Sequence, residues 1–175
     1  MKLFYKLCLL TFALLLWQVA CVDTRTGTDP DRIVNKMAVL IADFTLPDQY
    51  EPEFGLHALG YTAVAFSSEA HNGHLYLVQS ENEADGQELE SALAEMVPSY
   101  HDAENDLTVT EQQSVTIRGQ EVTLVLSEGT DEANQAMQQA TAVFQGKEGP
   151  ALLVYSESAD NWNRAALDAF LASMQ

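Results

Sequence analysis

Apolar residues recur at helical spacing in three stretches of the chain and alternate in twos between them. Asp29-Pro30 reads as a helix start, Asp as N-cap and Pro at the first helical position. Ile33, Met37, Leu40, Ile41 and Phe44 follow at helical spacing, Asp31 sits in the first turn where the helix dipole favours an anion, and Pro47 ends the element. The period then changes to two. Tyr50–Phe54, with Pro52, reads as the entry into a strand. Phe54–His57, Tyr61–Ser67 and His74–Ser80 are short strand-like runs punctuated by Gly55, Gly60 and Asn72-Gly73, the last a hairpin turn signal. Gly86–Val97 returns to helix, with Leu89, Leu93, Met96 and Val97 on one stripe, and Pro98 stops it. Leu107–Arg118, Glu121–Glu128, Gln135–Gln145 and Ala151–Glu157 read as four more strands, with turns at Gly119-Gln120 and Gly146–Pro150. Asp160 is the expected cap of a last helix whose buried face is Trp162, Ala166, Leu167, Phe170, Leu171 and Met174.

The element order α-βββ-α-ββββ-α, with strands joined by tight turns, predicts an α+β fold: a largely antiparallel sheet of about seven strands covered by helices. Residues 29–175 are expected to form a single α+β domain. Over about residues 30–175 the layout resembles the PsbP-like α/β/α sandwiches, small extracytoplasmic domains with a comparable alternation and a closing helix. That resemblance lies in the layout alone and carries no functional residue. Phe44-Thr45-Leu46-Pro47 and Ile117-Arg118-Gly119-Gln120 are similar to segments of bacterial envelope proteins.

The chain begins differently. Lys2 and Lys6 precede an apolar run, Leu7–Ala20, of about 14 residues, short of the ~20 that a spanning helix needs. A positive start, an apolar core and a small residue at its end read as a secretory signal peptide over residues 1–20. Val19-Ala20-Cys21 resembles the lipobox of bacterial lipoproteins, although Gln18 stands where that family usually has Leu. The resemblance implies cleavage before Cys21, a thioether-linked diacylglycerol on its thiol, and usually an acylated (palmitate-type) amino terminus. Cys8 would leave with the signal segment, so a lone mature thiol agrees with modification of Cys21. The alternatives are cleavage nearby by the ordinary signal peptidase, or retention as an N-terminal anchor. Residues 21–28 read as a polar tether to the lipid. In a host with two membranes, Val22 after the cysteine, where Asp favours inner-membrane retention, points to the periplasmic face of the outer membrane.

Charge narrows the partners. The 175 residues carry 8 Lys+Arg against 26 Asp+Glu, a net charge of −18. Nucleic acid is excluded as a natural partner, because phosphate binding needs clustered cations. Loss of Lys2 and Lys6 would leave six bases against the 26 acids. No Lys or Arg lies between Lys36 and Arg118, where Glu81, Glu83, Asp85, Glu88, Glu90, Glu95, Asp102, Glu104, Asp106 and Glu111 fall. This run reads as a solvated, salt-adapted surface, the alternative being a face for divalent cations or a basic partner.

Catalytic signals are sparse. There is no Gly-x-Ser-x-Gly elbow and no Ser-x-x-Lys. A hydrolase would have to assemble a serine with one of His57, His71, His74 or His101 and a carboxylate. His71-Asn72-Gly73-His74, with Glu69 nearby, is the best metal candidate, His71 and His74 straddling a turn, but no His-Glu-x-x-His or Cys-x-x-Cys spacing completes a shell. No metal and no cofactor are therefore expected. Arg118 is expected to pair with a local acid such as Glu121, the alternative being a ligand-binding cation, and Trp162 is expected in the core. The reading that results is a lipid-anchored extracytoplasmic domain with a non-enzymatic binding or structural role. Its rivals are a carrier of an apolar ligand, a hydrolase and a metal-binding protein.

Overall fold

The computed structural model describes residues 30–100, 107–131 and 133–175. The signal segment, Cys21, the tether, the Asp29 cap, His101, Asp102, Glu104 and Asp106 lie outside the described residues. Helix α1 (Pro30–Ile41) leads into strands β1 (Glu51–Ala58), β2 (Tyr61–Ser68) and β3 (Gly73–Ser80). Helix α2 (Gly86–Met96) follows, then β4 (Thr108–Ile117), β5 (Gln120–Thr130), β6 (Ala136–Gln145), β7 (Pro150–Ser158) and helix α3 (Arg164–Ser173). The sheet has seven strands in the order β1-β2-β3-β7-β6-β5-β4, and every neighbouring pair is antiparallel. Two meanders, β1–β3 and β4–β7, thus meet at the β3–β7 seam, where His74 faces Ser156 and Gln79 faces Ala151. The fold is α+β in the expected order.

The central strands feed two cores. Val64, Phe66, Leu75, Leu77, Leu153 and Tyr155 pack on one face with Val34, Ala38 and Ile41 of α1 and Leu167, Phe170 and Leu171 of α3. Their alternating neighbours Ala63, Ala65, Tyr76, Val78, Leu152 and Val154 pack on the other with Leu89 and Leu93 of α2, Val97 and Tyr100. Burial on both faces explains why β2, β3 and β7 read as nearly continuous apolar runs. The layers are therefore α1 and α3, the sheet, and α2. Among the described residues no helix is long and apolar enough to cross a membrane.

Four local expectations need correction. In α1 the buried stripe is Val34, Ala38 and Ile41, whereas Ile33 and Leu40 are exposed. Phe44 lies past the helix and enters the core from the following segment, edge-on to Phe66 at 5.9 Å and to Phe170 at 5.4 Å. The last helix is capped by Asn163, whose side chain accepts from Ala166 N–H, and not by Asp160. Trp162 therefore precedes the helix, half-buried, and packs against the core from a loop. Arg118 does not pair with Glu121. With Gly119 it forms a two-residue turn in which both φ angles are positive, 52° and 75°, and its guanidinium donates to the carbonyl of Gln175. Glu121 instead accepts from Ser114 Oγ at 2.6 Å.

The Gly146–Pro150 turn docks on the end of α1. Lys147 Nζ donates to Val39 O at 2.8 Å and pairs with Asp43 at 2.7 Å, while its backbone N–H reaches Ile41 O at 3.0 Å. These contacts satisfy two of the carbonyls that a helix C-terminus leaves open and set a cation at its negative end.

Candidate functional site

Along β7, Leu153, Tyr155 and Glu157 share the face that points to the α1/α3 core. The third position of that apolar series is a carboxylate with only 1% of its surface exposed. A buried carboxylate is tolerated only when it is paired and hydrogen-bonded. Glu157 is both. Its Oε1 accepts from Tyr155 Oη at 2.8 Å, His71 Nδ1 at 3.0 Å and Tyr50 Oη at 3.1 Å, and its Oε2 accepts from Asn163 N–H at 3.2 Å.

Four separate segments supply these donors: the approach to β1, the β2–β3 turn, β7 itself and the start of α3. Asn163 joins the site to the helix it caps. Gly73 completes the node from below. A Cβ there would stand 2.6 Å from Tyr50 Oη and 2.9 Å from Glu157 Cγ, so glycine is needed for close approach rather than for turn conformation. Burial first, and then the neighbouring hydroxyl and carboxylate, push Tyr50 above the ordinary phenol range. Burial likewise raises Tyr155. Both phenols stay protonated and remain donors to Glu157.

Above this node lies an open cleft of about 420 Å³. Its walls include Leu46, Pro47, Asp48, Ala166, Ala169 and Phe170, with Tyr50, His71, Tyr155 and Glu157 at its base. Tyr50 and Tyr155 lie tilted against each other at 5.7 Å, and Trp162 backs Tyr155 edge-on at 5.8 Å. No Lys or Arg lines it, while Asp48 and Glu157 do. Such a lining suits a neutral or cationic hydrogen-bond donor carried on an apolar or aromatic body.

The two histidines of the metal candidate are not brought together. His71 turns toward Glu157. His74 lies on the opposite face of the sheet, stacked on Tyr76 at 5.6 Å, with Glu53 at 3.6 Å from its Nδ1. His57 sits at a third place, bonded to Thr62 Oγ1 at 2.8 Å and 3.5 Å from Glu81. Among the described residues no group of three or more His, Cys, Asp or Glu is placed to hold a metal ion. Cys21 lies outside the described residues.

The sequence reading missed Glu157, Tyr50 and Tyr155 as a unit. One signal was present: a Glu two residues after Tyr155 in a strand that is apolar on both faces. The partners were not legible, because Tyr50 and Glu157 are 107 residues apart. No protein-family model matches the chain, and a search of curated proteins gives no match.

Proposed function

We propose that the chain is a lipid-anchored domain of the bacterial cell envelope that holds a ligand in the cleft over Glu157 without transforming it. Anchoring rests on the Val19-Ala20-Cys21 junction, with Cys21 as the lipidated residue and the periplasmic face of the outer membrane as the site in a two-membrane host. The observation that carries the binding reading is the bracing of Glu157. Its carboxylate is 1% exposed and accepts from four donors, three on Oε1 and one on Oε2, which ties it to the floor of the cleft as a structural brace. The occupant is a small neutral or cationic molecule, since the cleft offers acceptors and aromatic faces and no basic side chain.

A second reading, a hydrolase, is favoured by one observation. A carboxylate on Nδ1 of a cleft histidine is the arrangement that orients an imidazole for proton transfer through Nε2. No Ser, Thr or Cys side chain among the described residues bonds to that ring, and Thr45 supplies the aliphatic hydroxyl of the cleft lining.

Cell fractionation with intact-mass measurement tests the anchor. Wild type should sediment with membranes carrying the mass of the acyl groups, and Cys21→Ser should be soluble. A mature start elsewhere, or an unmodified Cys21, refutes it. Native mass spectrometry of protein isolated from its own membranes tests the cleft. A small-molecule adduct should be present in wild type and lost in Ala169→Trp, which fills the cleft mouth from the exposed side of α3. Ester or amide hydrolysis that depends on His71 would replace binding by catalysis.

A further inference from the structure

Helix α1 has a second apolar side. At 100° per residue, Arg32, Ile33, Lys36, Val39 and Leu40 gather on the flank away from Val34, Ala38 and Ile41. All five are exposed. Ile33, Val39 and Leu40 are 36%, 49% and 39% exposed, and they are three of the seven large apolar side chains exposed among the described residues. Arg32 and Lys36 stand one turn apart between them. Of the six Lys and Arg after residue 20, Arg25, Arg32 and Lys36 belong to the tether and α1, and Lys147 is bonded to the last turn of α1. In a chain this acidic, the cations gather where the chain leaves its lipid. Helix α2, on the far side of the sheet, carries Glu88, Glu90 and Glu95 and no base.

We propose that the outer face of α1 lies against an anionic phospholipid surface, so that lipid and helix together fix the domain's orientation with α2 turned away from the bilayer. The inference rests on the anchoring of Cys21 proposed above. Three features on different levels argue for this occupant. Nine residue steps separate Cys21 from Pro30, a reach of at most about 30 Å, so the start of α1 stays within that distance of the membrane. Its exposed face combines cations with apolar side chains, as interfacial helices do. Electrostatic interactions are screened within about 8 Å at 0.15 M salt, whereas stacked layers lie about 10 Å apart, so the acids of α2 do not cancel the local attraction. A second copy is a poor occupant, because Arg32 and Lys36 would then face their own counterparts.

The test uses the full lipidated chain in phosphatidylethanolamine/phosphatidylglycerol vesicles. With Cys21 capped, a single engineered thiol is labelled with an environment-sensitive fluorophore, at Val39→Cys on α1 or at Glu95→Cys on α2. Position 39 should shift to the blue and be quenched by a lipid-borne quencher, and position 95 should behave as in water. Arg32→Glu with Lys36→Glu, both exposed changes, should abolish the shift at 39 while the chain stays on the vesicles. Identical signals at 39 and 95 in an anchored chain overturn the proposal. So does a shift at 39 that survives charge reversal or that persists in phosphatidylcholine alone. A shift that grows with the protein-to-lipid ratio assigns the face to a second copy and overturns it too. A chain that never stays on the vesicles overturns the anchoring reading and this inference with it.

Discussion

Glu157→Leu is the sharpest perturbation of the buried node. The side chain keeps roughly its size and loses every acceptor. Tyr50 and Tyr155, 6% and 0% exposed, are left with hydroxyls that have lost their carboxylate acceptor. Each orphaned buried hydroxyl costs about 1–3 kcal/mol, so the pair costs about 2–6 kcal/mol. His71, whose side chain is 28% exposed, turns its ring nitrogen to water at little cost. Some of the loss is returned because a buried charge has been removed. With a urea slope of about 2 kcal/mol per M, the unfolding midpoint should fall by roughly 1–3 M. The decisive variant adds Tyr50→Phe and Tyr155→Phe to Glu157→Leu. The triple variant leaves no orphaned phenol hydroxyl, so it should be more stable than the single one, against ordinary accumulation of damage. Urea unfolding followed by circular dichroism reads both, with an unchanged slope as the control. A triple variant as unstable as the single one, or less stable, would refute the claim that hydroxyl-to-carboxylate bonds hold the site together.

Burial pushes Tyr76 up to about 12, so its protonated form stabilises the fold fully below the ordinary value of 10.0 and that contribution is lost as pH rises from 10 to 12. Tyr76→Phe should therefore make the alkaline fall in stability shallower by about 1.4 kcal/mol per pH unit in that window, and an unchanged slope by urea unfolding at stepped pH would count against it. Gly73→Ala should destabilise by about 1–3 kcal/mol through the clash with Tyr50 and Glu157, and Gly73→Ala on a Tyr50→Phe background should cost less; equal costs in thermal melts would show that the contact is not the cause. Raising sodium chloride from low ionic strength to about 0.15 M should raise the melting temperature, because 26 acids face few bases, so that pairs such as Lys147–Asp43 and Arg164–Asp168 leave most acids without a cation; a flat or falling melting temperature would mean that local pairs outweigh the net repulsion.

Local signals carried the fold further than they carried the site. The strands were legible because β-branched and aromatic runs end at turns whose residues need special geometry, as Leu59-Gly60 and Arg118-Gly119 do with their positive φ angles. The α1 stripe was misread because two apolar faces share one helix, and spacing alone does not say which of Val34 and Ile33 turns inward. Asp160 and Asn163 are equally good caps by residue type. Asn163 prevails because its N–H is already held by Glu157, an interaction between β7 and a helix that no local pattern encodes. His71 was singled out by its neighbour His74, yet its partner is Glu157, 86 residues further on. Tyr155 and Asn163 reach Glu157 from nearby in the chain, but Tyr50 and His71 come from 107 and 86 residues away, and a lone acid on the core side of β7 was the site's local trace.

The seam between β3 and β7 has a consequence for the birth of the molecule. Strands β1–β3 are made early, but their inner edge is closed only by the last strand of the sheet. Gln175, just after α3, then exchanges both backbone hydrogen bonds with Asp43 just after α1. A chain emerging amino end first must leave that edge unsealed until β7 has been made. High contact order of this kind slows folding and lengthens the exposure of unpaired strands. If the chain crosses a membrane before it folds, the first meander waits on the far side for the second, and pulse-labelled amide exchange should find β3 and β7 gaining protection together.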